Sequence, residues 1–196
     1  MRCVLGALNL RETEDPGMSL MDHSTFICPE FIIRAATETW ELQGVSRLRH
    51  QVFVEEQRIF VGSDHDEIDA RAIPLAAIAT LAAEPAEVVG TVRIHKPAPG
   101  IWWGSRLAVA PAYRRVGRLG AELIRLAVST ANGVGCLEFH AHVQLQNVPL
   151  FRRLHWEPQG EIDLHGVRHM HMLASLDHYP PTCDPATGWS TRARRS

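Results

Sequence analysis

The stretch Leu107-Ala108-Val109-Ala110-Pro111-Ala112-Tyr113-Arg114-Arg115-Val116-Gly117-Arg118-Leu119-Gly120 carries the sharpest chemical signal in the chain. A strand-like run enters a turn rich in Gly and Arg, and the turn opens onto a helix. The first amides of a helix lack intrahelical partners and sit at the positive end of its dipole, so they hold phosphate well. Glycines let the backbone approach an anion closely, and arginines add charge. Gly117 and Gly120 would equally serve a tight strand-to-helix turn that binds nothing. Neither the P-loop spacing nor the dinucleotide G-x-G-x-x-G spacing occurs.

Other residues could do acid–base or metal chemistry. His140 and His142 share one face of a strand, as do His169 and His171. Two such pairs on neighbouring strands could hold zinc, but strand histidines more often fill hydrogen-bonded core or pocket positions, and no metal is expected. Asp64, Asp66 and Asp69 could attract a cationic amine or simply be solvated, and their spacing lacks the rest of a calcium loop. Glu56, near a helix end, is either a general base or a carboxylate bonding a loop. Trp102 and Trp103 must point to opposite faces, one packing in the core and the other capping a pocket or interface.

The elements that position these residues follow from periodicity. Residues 31–35 suit a first strand, and Val45, Leu48 and Val52 have helical spacing within 37–57. The polar stretch 59–72 reads as a loop. Strands are expected at 75–82 and 88–95, with a hairpin turn at Glu84-Pro85-Ala86, and at 102–110. Leu119, Leu123, Ile124, Ala127, Val128 and Ala131 make one apolar helical face, opposite Arg118, Glu122, Arg125 and Ser129. Asn132-Gly133 stops that helix. A strand at 137–143, a short helix at 148–154 and a hairpin of 156–164 with 167–173, turned at His165-Gly166, complete the pattern. The order is β-α-β-β-β-α-β-α-β-β, a mixed α/β class, with a parallel pair implied around residues 102–143.

With 196 residues, 45% hydrophobic and 21% charged, the chain suits one globular domain. A net charge of −2 argues against nucleic-acid binding by bulk electrostatics. The longest mostly apolar run, 73–83, is too short to span a bilayer. Four cysteines fit no metal or redox spacing, and the start lacks a credible signal segment, so free thiols in the cytoplasm are expected. Residues 1–29 read as a flexible extension, in which Met18 or Met21 could be the true start. Residues 30–178 read as the folded unit, and 179–196 as a flexible tail whose Arg192, Arg194 and Arg195 could touch an acidic partner but are more often solvated in such a tail.

Leu-Ala-Val-x-Pro-x-Tyr-Arg followed by a basic Gly turn and an amphipathic helix resembles the acetyl-CoA motif of GNAT N-acetyltransferases. The helix register lays Arg115-Val116-Gly117-Arg118-Leu119-Gly120 on the R-x-x-G-x-G/A turn of that family, with Arg118 at its first glycine. The resemblance spans about residues 31–174. Gly90-Thr91-Val92-Arg93 is similar to the family's third strand, and Asn147 with Leu154-His155-Trp156 to its ending. Leu48-Arg49-His50-Gln51-Val52-Phe53-Val54-Glu55-Glu56-Gln57 resembles the ElaA-like branch, as do Asp64, Asp66, Asp69, Val143-Gln144, Phe151 and His169. A subgroup from nitrogen-starvation clusters is similar over nearly the whole core, and Arg-x-x-Val-Phe resembles acyl-homoserine-lactone synthases.

That resemblance implies a mostly antiparallel sheet with a splayed parallel pair, and acetyl transfer from acetyl-CoA, a co-substrate, directly to a small-molecule amine. Leu107, Ala108 and Val109 would pair with the pantetheine arm. Arg114, Arg115, Val116, Gly117, Arg118, Leu119, Gly120 and Asn147 would complete the CoA site. Asp66, Asp69, Arg106 and His169 would lie on the acceptor side. A backbone N–H near Val109 would stabilise the oxyanion. Ser105 stands where many members carry an acid, and Phe151 where many carry a tyrosine, so Glu56 or His142 is left as the base. A longer acyl donor, or a non-catalytic CoA-binding sensor, is the competing reading. No nucleic-acid or membrane partner is implied, and a homodimer is left open.

Overall fold

The computed structural model describes residues 30–116 and 118–192. The N-terminal extension, with Cys3 and Cys28, Gly117, and Arg194 and Arg195 lie outside the described residues.

The first strand, β1 (Glu30–Ala35), alternates buried and half-buried positions, as its apolar spacing requires. Helix α1 (Thr39–Arg49) is anchored by Glu41, which is fully buried and accepts from Arg34 and from the amides of Thr37 and Glu38. Its continuation, His50–Glu56, widens into a π-helix closed by Gln57 N–H donating to Val52 O at 2.9 Å, so the helix expected over 37–57 is not α-helical throughout.

Strands β2 (Ile73–Leu81), β3 (Glu84–Ala98) and β4 (Ile101–Val109) form a meander, followed by α2 (Leu119–Gly133) and β5 (Glu138–Gln144). A short α3 (Val148–Arg153) leads to the hairpin of β6 (Trp156–Leu164) and β7 (Val167–Ala174), turned at His165-Gly166 as expected. The first hairpin turns instead at Ala82-Ala83, both at positive φ, because Leu81 pairs directly with Glu84. Such a two-residue turn matches the strand twist, and Pro85 falls beyond the part of β3 that pairs with β4, where its missing N–H is tolerated.

These strands and a short β8 (Trp189–Arg192) form one mixed sheet in the order β6-β7-β5-β4-β3-β2-β1-β8, and its parallel pair is β4 with β5. Helix α2 covers one face through Leu123, Leu126, Ala127 and Val128, and α1 with its π-helical continuation covers the other through Val45, Leu48 and Val52. Leu75 and Ala77 face α2 while Ala76 and Ile78 face α1, so β2 is buried on both sides and reads as a continuous apolar run.

The segment after residue 178 is not a free tail. Tyr179 is buried; its hydroxyl donates to Leu154 O and accepts from Trp156 Nε1 at 2.9 Å. Thr182 N–H donates to Ser129 O at 3.0 Å and Ala35 N–H to Pro185 O at 2.7 Å, after which β8 pairs with β1. Gly188 sits at φ +58, and a Cβ there would lie 1.9 Å from Ile33 O, so only glycine permits this close crossing. Trp189 Nε1 donates to Glu122 at 3.2 Å. The strap therefore buries Ser129 and pairs Glu122 on the side of α2 expected to face solvent. Its polar composition hid it, because backbone pairing and a few anchors hold it in place.

Ending the chain at residue 180 removes β8 and most of this strap. If the strap is worth ~2 kcal/mol, the melting temperature should fall by about 4–8 °C. An unchanged melting temperature would show that the strap does not stabilise the fold.

Candidate active site

Strands β4 and β5 pair only from Ile101 opposite Glu138 to Gly104 opposite Ala141, then separate. The cause lies in β4, where the register against β3 shifts between Ser105 and Ala108 and Arg106 takes φ +55, a β-bulge that bends the strand away. The expected splay is therefore real. Ala110 N–H donates to Val89 O on β3 at 2.8 Å. Because amide directions alternate along a strand, the N–H groups of Leu107 and Val109 point the other way, into the gap. The gap opens into a cavity of about 460 Å³ reaching from Phe53 and Phe60 on the α1 side to Ile124 and Ala127 of α2.

Next to the cavity stands a charge cluster that the sequence only hinted at. Arg49 binds Asp64 at 2.7 Å and Asp69 at 2.6 Å; Arg93 binds Asp66 at 2.6 Å and Asp69 at 2.8 Å; Arg106 binds Asp64 and Asp66, each at 3.1 Å. Arg93 also donates to Ser105 Oγ at 3.0 Å, and the Arg106 guanidinium lies 4.3 Å from the centre of the Phe60 ring. Asp64, Arg49 and Arg93 are almost fully buried. The expectation that Asp66 and Asp69 attract a substrate amine is corrected: three arginines already satisfy the three carboxylates. The Arg93 hydrogen bond holds the Asp66 carboxyl below its ordinary range. Burial pushes Asp69 upward, but hydrogen bonds from Arg49, the Asp66 amide and Arg93 outweigh it and hold the group low.

Glu56 is also committed elsewhere. Its two oxygens accept from Arg114 at 2.7 and 2.6 Å on the surface, and this lowers its pKa. A carboxylate held ionised by an arginine is a poor proton acceptor, which corrects its nomination as base. Arg114 donates to Val109 O at 3.1 Å as well, so the pair ties the end of the π-helix to the head of the turn. Arg115 and Arg118 are exposed and have no ion-pair partner among the described residues. Arg118 caps α2 at φ +55, the left-handed region that a glycine would take without strain. A Cβ built on Gly120 meets nothing within 4 Å, so the ground above the start of α2 is open.

His142 lines the cavity, and burial together with the neighbouring His171, His169 and His140 lowers its pKa, leaving it neutral near pH 7. His169 lines the cavity too, with Nδ1 2.7 Å from Val167 O. Asn147, Ser105 and Phe151 also face the cavity. Sequence reasoning placed the strand histidines as pairs on neighbouring strands but missed that Trp103 joins them. Trp103 stacks on His140 and His171 at 5.1 and 5.4 Å and meets His142 at 4.7 Å. His140 Nδ1 lies 3.1 Å from His171 Nε2, yet no group of three or more metal-ligating side chains forms among the described residues. His95, which pairs in register with Trp103, is buried with Nδ1 unpartnered, and it too lines the cavity. The alternating His-x-His and Trp-Trp spacing was the available signal for this row; His95 had none.

A model of the acetyltransferase (GNAT) family matches residues 40–156. No curated protein matches the chain significantly by sequence. Among solved structures, a Lactobacillus plantarum protein assigned as an N-acetyltransferase is 21% identical, with a TM-score of 0.63 over 74% of this chain and 98% of its own. Escherichia coli ElaA is 17% identical, with a TM-score of 0.57 over 74% and 98%. BjaI, a CoA-dependent acyl-homoserine lactone synthase solved with SAM and isopentyl-CoA, is 21% identical, with a TM-score of 0.59 over 84% of each chain. These likenesses show a shared fold.

Arg49→Met leaves Asp64 buried without its closest partner and should destabilise the protein by about 3–5 kcal/mol. Asp66 and Asp69 have depressed pKa values in the fold, so their stabilisation is complete above the unfolded value of about 3.9 and is lost as pH falls through the folded values. Melting temperatures should therefore hardly respond to this cluster between about pH 5 and 8 and fall steeply below about pH 4. A wild-type melting curve for Arg49→Met would show that the cluster is dispensable.

Proposed function

The chain belongs to the acetyltransferase (GNAT) family, and from that premise we propose that it moves an acyl group, acetyl in the simplest case, from acyl-CoA directly to the amine of a small molecule. The observation that carries this reading is the gap between β4 and β5, which leaves the amides of Leu107 and Val109 unpaired beside the open start of α2. The pantetheine arm of the donor would pair with those amides as an added strand pairs with a sheet edge. The turn through Arg115, Arg118, Leu119 and Gly120 would hold its pyrophosphate, with Asn147 at the other lip of the gap. When bound, the donor supplies an activated thioester carbonyl.

The chain's own residues then have separate tasks. The Val109 N–H is aimed where negative charge develops on the carbonyl oxygen. His142, neutral and within the cavity wall, takes the proton that the amine nitrogen sheds. Phe151 and Ser105 offer no acid of comparable strength, so the thiolate is protonated by way of His142 or solvent. The Arg–Asp cluster forms one rigid wall of the cavity, and Trp103 with His142 lines it from β4 and β5. Free thiols at Cys136 and Cys183 suit a reducing compartment such as the cytoplasm.

A second reading keeps the fold and lengthens the acyl chain. The cavity continues past the gap into apolar ground lined by Ile124, Ala127, Phe139, Phe151 and Trp156, room beyond what an acetyl group needs. A donor series of acetyl-, isopentyl- and hexanoyl-CoA, followed by thiol release, separates the two readings. Turnover with any donor removes the non-catalytic alternative.

Gly120→Asp and Arg115→Glu place negative charge at the turn without touching the core, and each should raise the calorimetric Kd for acetyl-CoA by at least about tenfold, roughly 1.4 kcal/mol. Unchanged affinity in both would remove the turn from the donor site. His142→Gln should lower kcat by at least about tenfold, against a usual ~10²–10⁴-fold for loss of a general base, while Glu56→Gln stays within about threefold. The reverse order would return the base role to Glu56.

A further inference from the structure

The acceptor half of the cavity has a composition that narrows its substrate. The carboxylate among its lining residues is Asp66, which Arg93 and Arg106, both also lining it, already bind. The only carboxylate on the wall among the described residues is thus already bound by two guanidinium groups, which Asp69 and Asp64 neutralise from behind, and no unpaired anion meets an incoming ammonium group there. Desolvating an alkylammonium against such a wall is unfavourable. What the wall offers instead is flat and polarisable. Trp103, which also stacks on His140 and His171, lines it with His142 4.7 Å away, Phe60 and His165 line it in mutual contact at 4.9 Å, and His95 Nδ1 is left without a partner.

We propose that the acceptor is an aromatic amine, with its nitrogen directly on a planar ring, that stacks on Trp103 and meets His95 Nδ1 through a polar ring substituent. This rests on the acyl-transfer reading above. The position is suitable, because Trp103 is one residue before the last β4–β5 pair, Gly104 with Ala141. At about 3.3 Å per residue, a ring on Trp103 brings an attached nitrogen to the opening of the gap. The protonation state is suitable as well. An alkyl amine of pKa ~10.4 has roughly one molecule in 2,500 neutral at pH 7, whereas nitrogen conjugated to a ring is neutral there. With Glu56 held by Arg114 and all three loop aspartates held by arginines, no free carboxylate among the described residues lining the cavity stands ready to deprotonate an ammonium ion.

The step balances without a further reagent. The nitrogen lone pair forms the N–C bond to the thioester carbonyl, the C–S bond breaks with its electron pair on sulfur, and the nitrogen proton passes through His142 to that sulfur. Amide and free CoA result. His142 need only accept a proton from nitrogen already bonded to carbon, a stronger acid than the free amine, and a neutral imidazole suffices.

The test compares 4-methoxyaniline with phenethylamine, cyclohexylamine and spermidine at pH 7, using the full chain, acetyl-CoA and thiol release. We expect 4-methoxyaniline to exceed each alkyl amine by at least about tenfold in kcat/KM, with a rate nearly flat from pH 7 to 9 while phenethylamine gains with each pH unit. Trp103→Ala and His95→Phe should raise KM for the aromatic amine at least about fivefold while leaving the calorimetric Kd for CoA unchanged. A preference for alkyl amines at pH 7, or KM values unmoved by both substitutions, overturns this inference and leaves acyl transfer standing. Failure to bind CoA overturns both.

Discussion

The cavity of this molecule depends on two parallel strands that stop pairing. Strands β4 and β5 hold four residues of register and then part, leaving backbone donors of β4 without a neighbour inside a closed fold. Unpaired backbone groups are tolerated only where something polar meets them, so such a gap is a place made for an extended polar ligand. The bulge at Arg106 creates the divergence. Helix α2, packed below through Leu123, Ile124 and Ala127, brings its free amides to the lip of the same gap.

The bulge in turn depends on charge. Arg106 sits in a left-handed conformation worth about 1–2 kcal/mol of strain for a non-glycine residue, and its guanidinium is received by Asp64, Asp66 and the Phe60 ring. Arg49 and Arg93 complete a set in which three cations meet three anions. A buried network of this kind adds little net stability compared with apolar packing, but it tolerates only one arrangement. It thus pins the 59–72 loop against β3 and β4 and fixes one wall of the cavity. Glu56 and Arg114 make a smaller version of the same link, on the surface, between the π-helical continuation of α1 and the turn after β4.

The element order, the apolar faces of α2, the parallel pair and the turn that opens onto α2 were all legible, because each rests on local periodicity or on one contiguous motif. Three features were not. The strap over 179–192 has no apolar period, since pairing of β8 with β1 and single anchors at Tyr179 and Trp189 hold it. The roles of Asp64, Asp66 and Asp69 were misjudged because their partners, Arg49, Arg93 and Arg106, come from three separate elements. Glu56 looked like a base from its motif, and only the fold reveals Arg114 beside it. His142 was legible as a strand histidine facing a gap, whereas His95 became notable only when its nitrogen proved buried without a partner.

The central claim is that the donor's pantetheine arm binds as a missing strand along β4. Residue-resolved amide hydrogen exchange, with and without CoA, tests it most directly. The account predicts that CoA slows exchange at Leu107 and Val109, and at Leu119 and Gly120 at the start of α2, while Ala110, already bonded to Val89, changes little. Protection that appears elsewhere while Leu107 and Val109 exchange as before would contradict it.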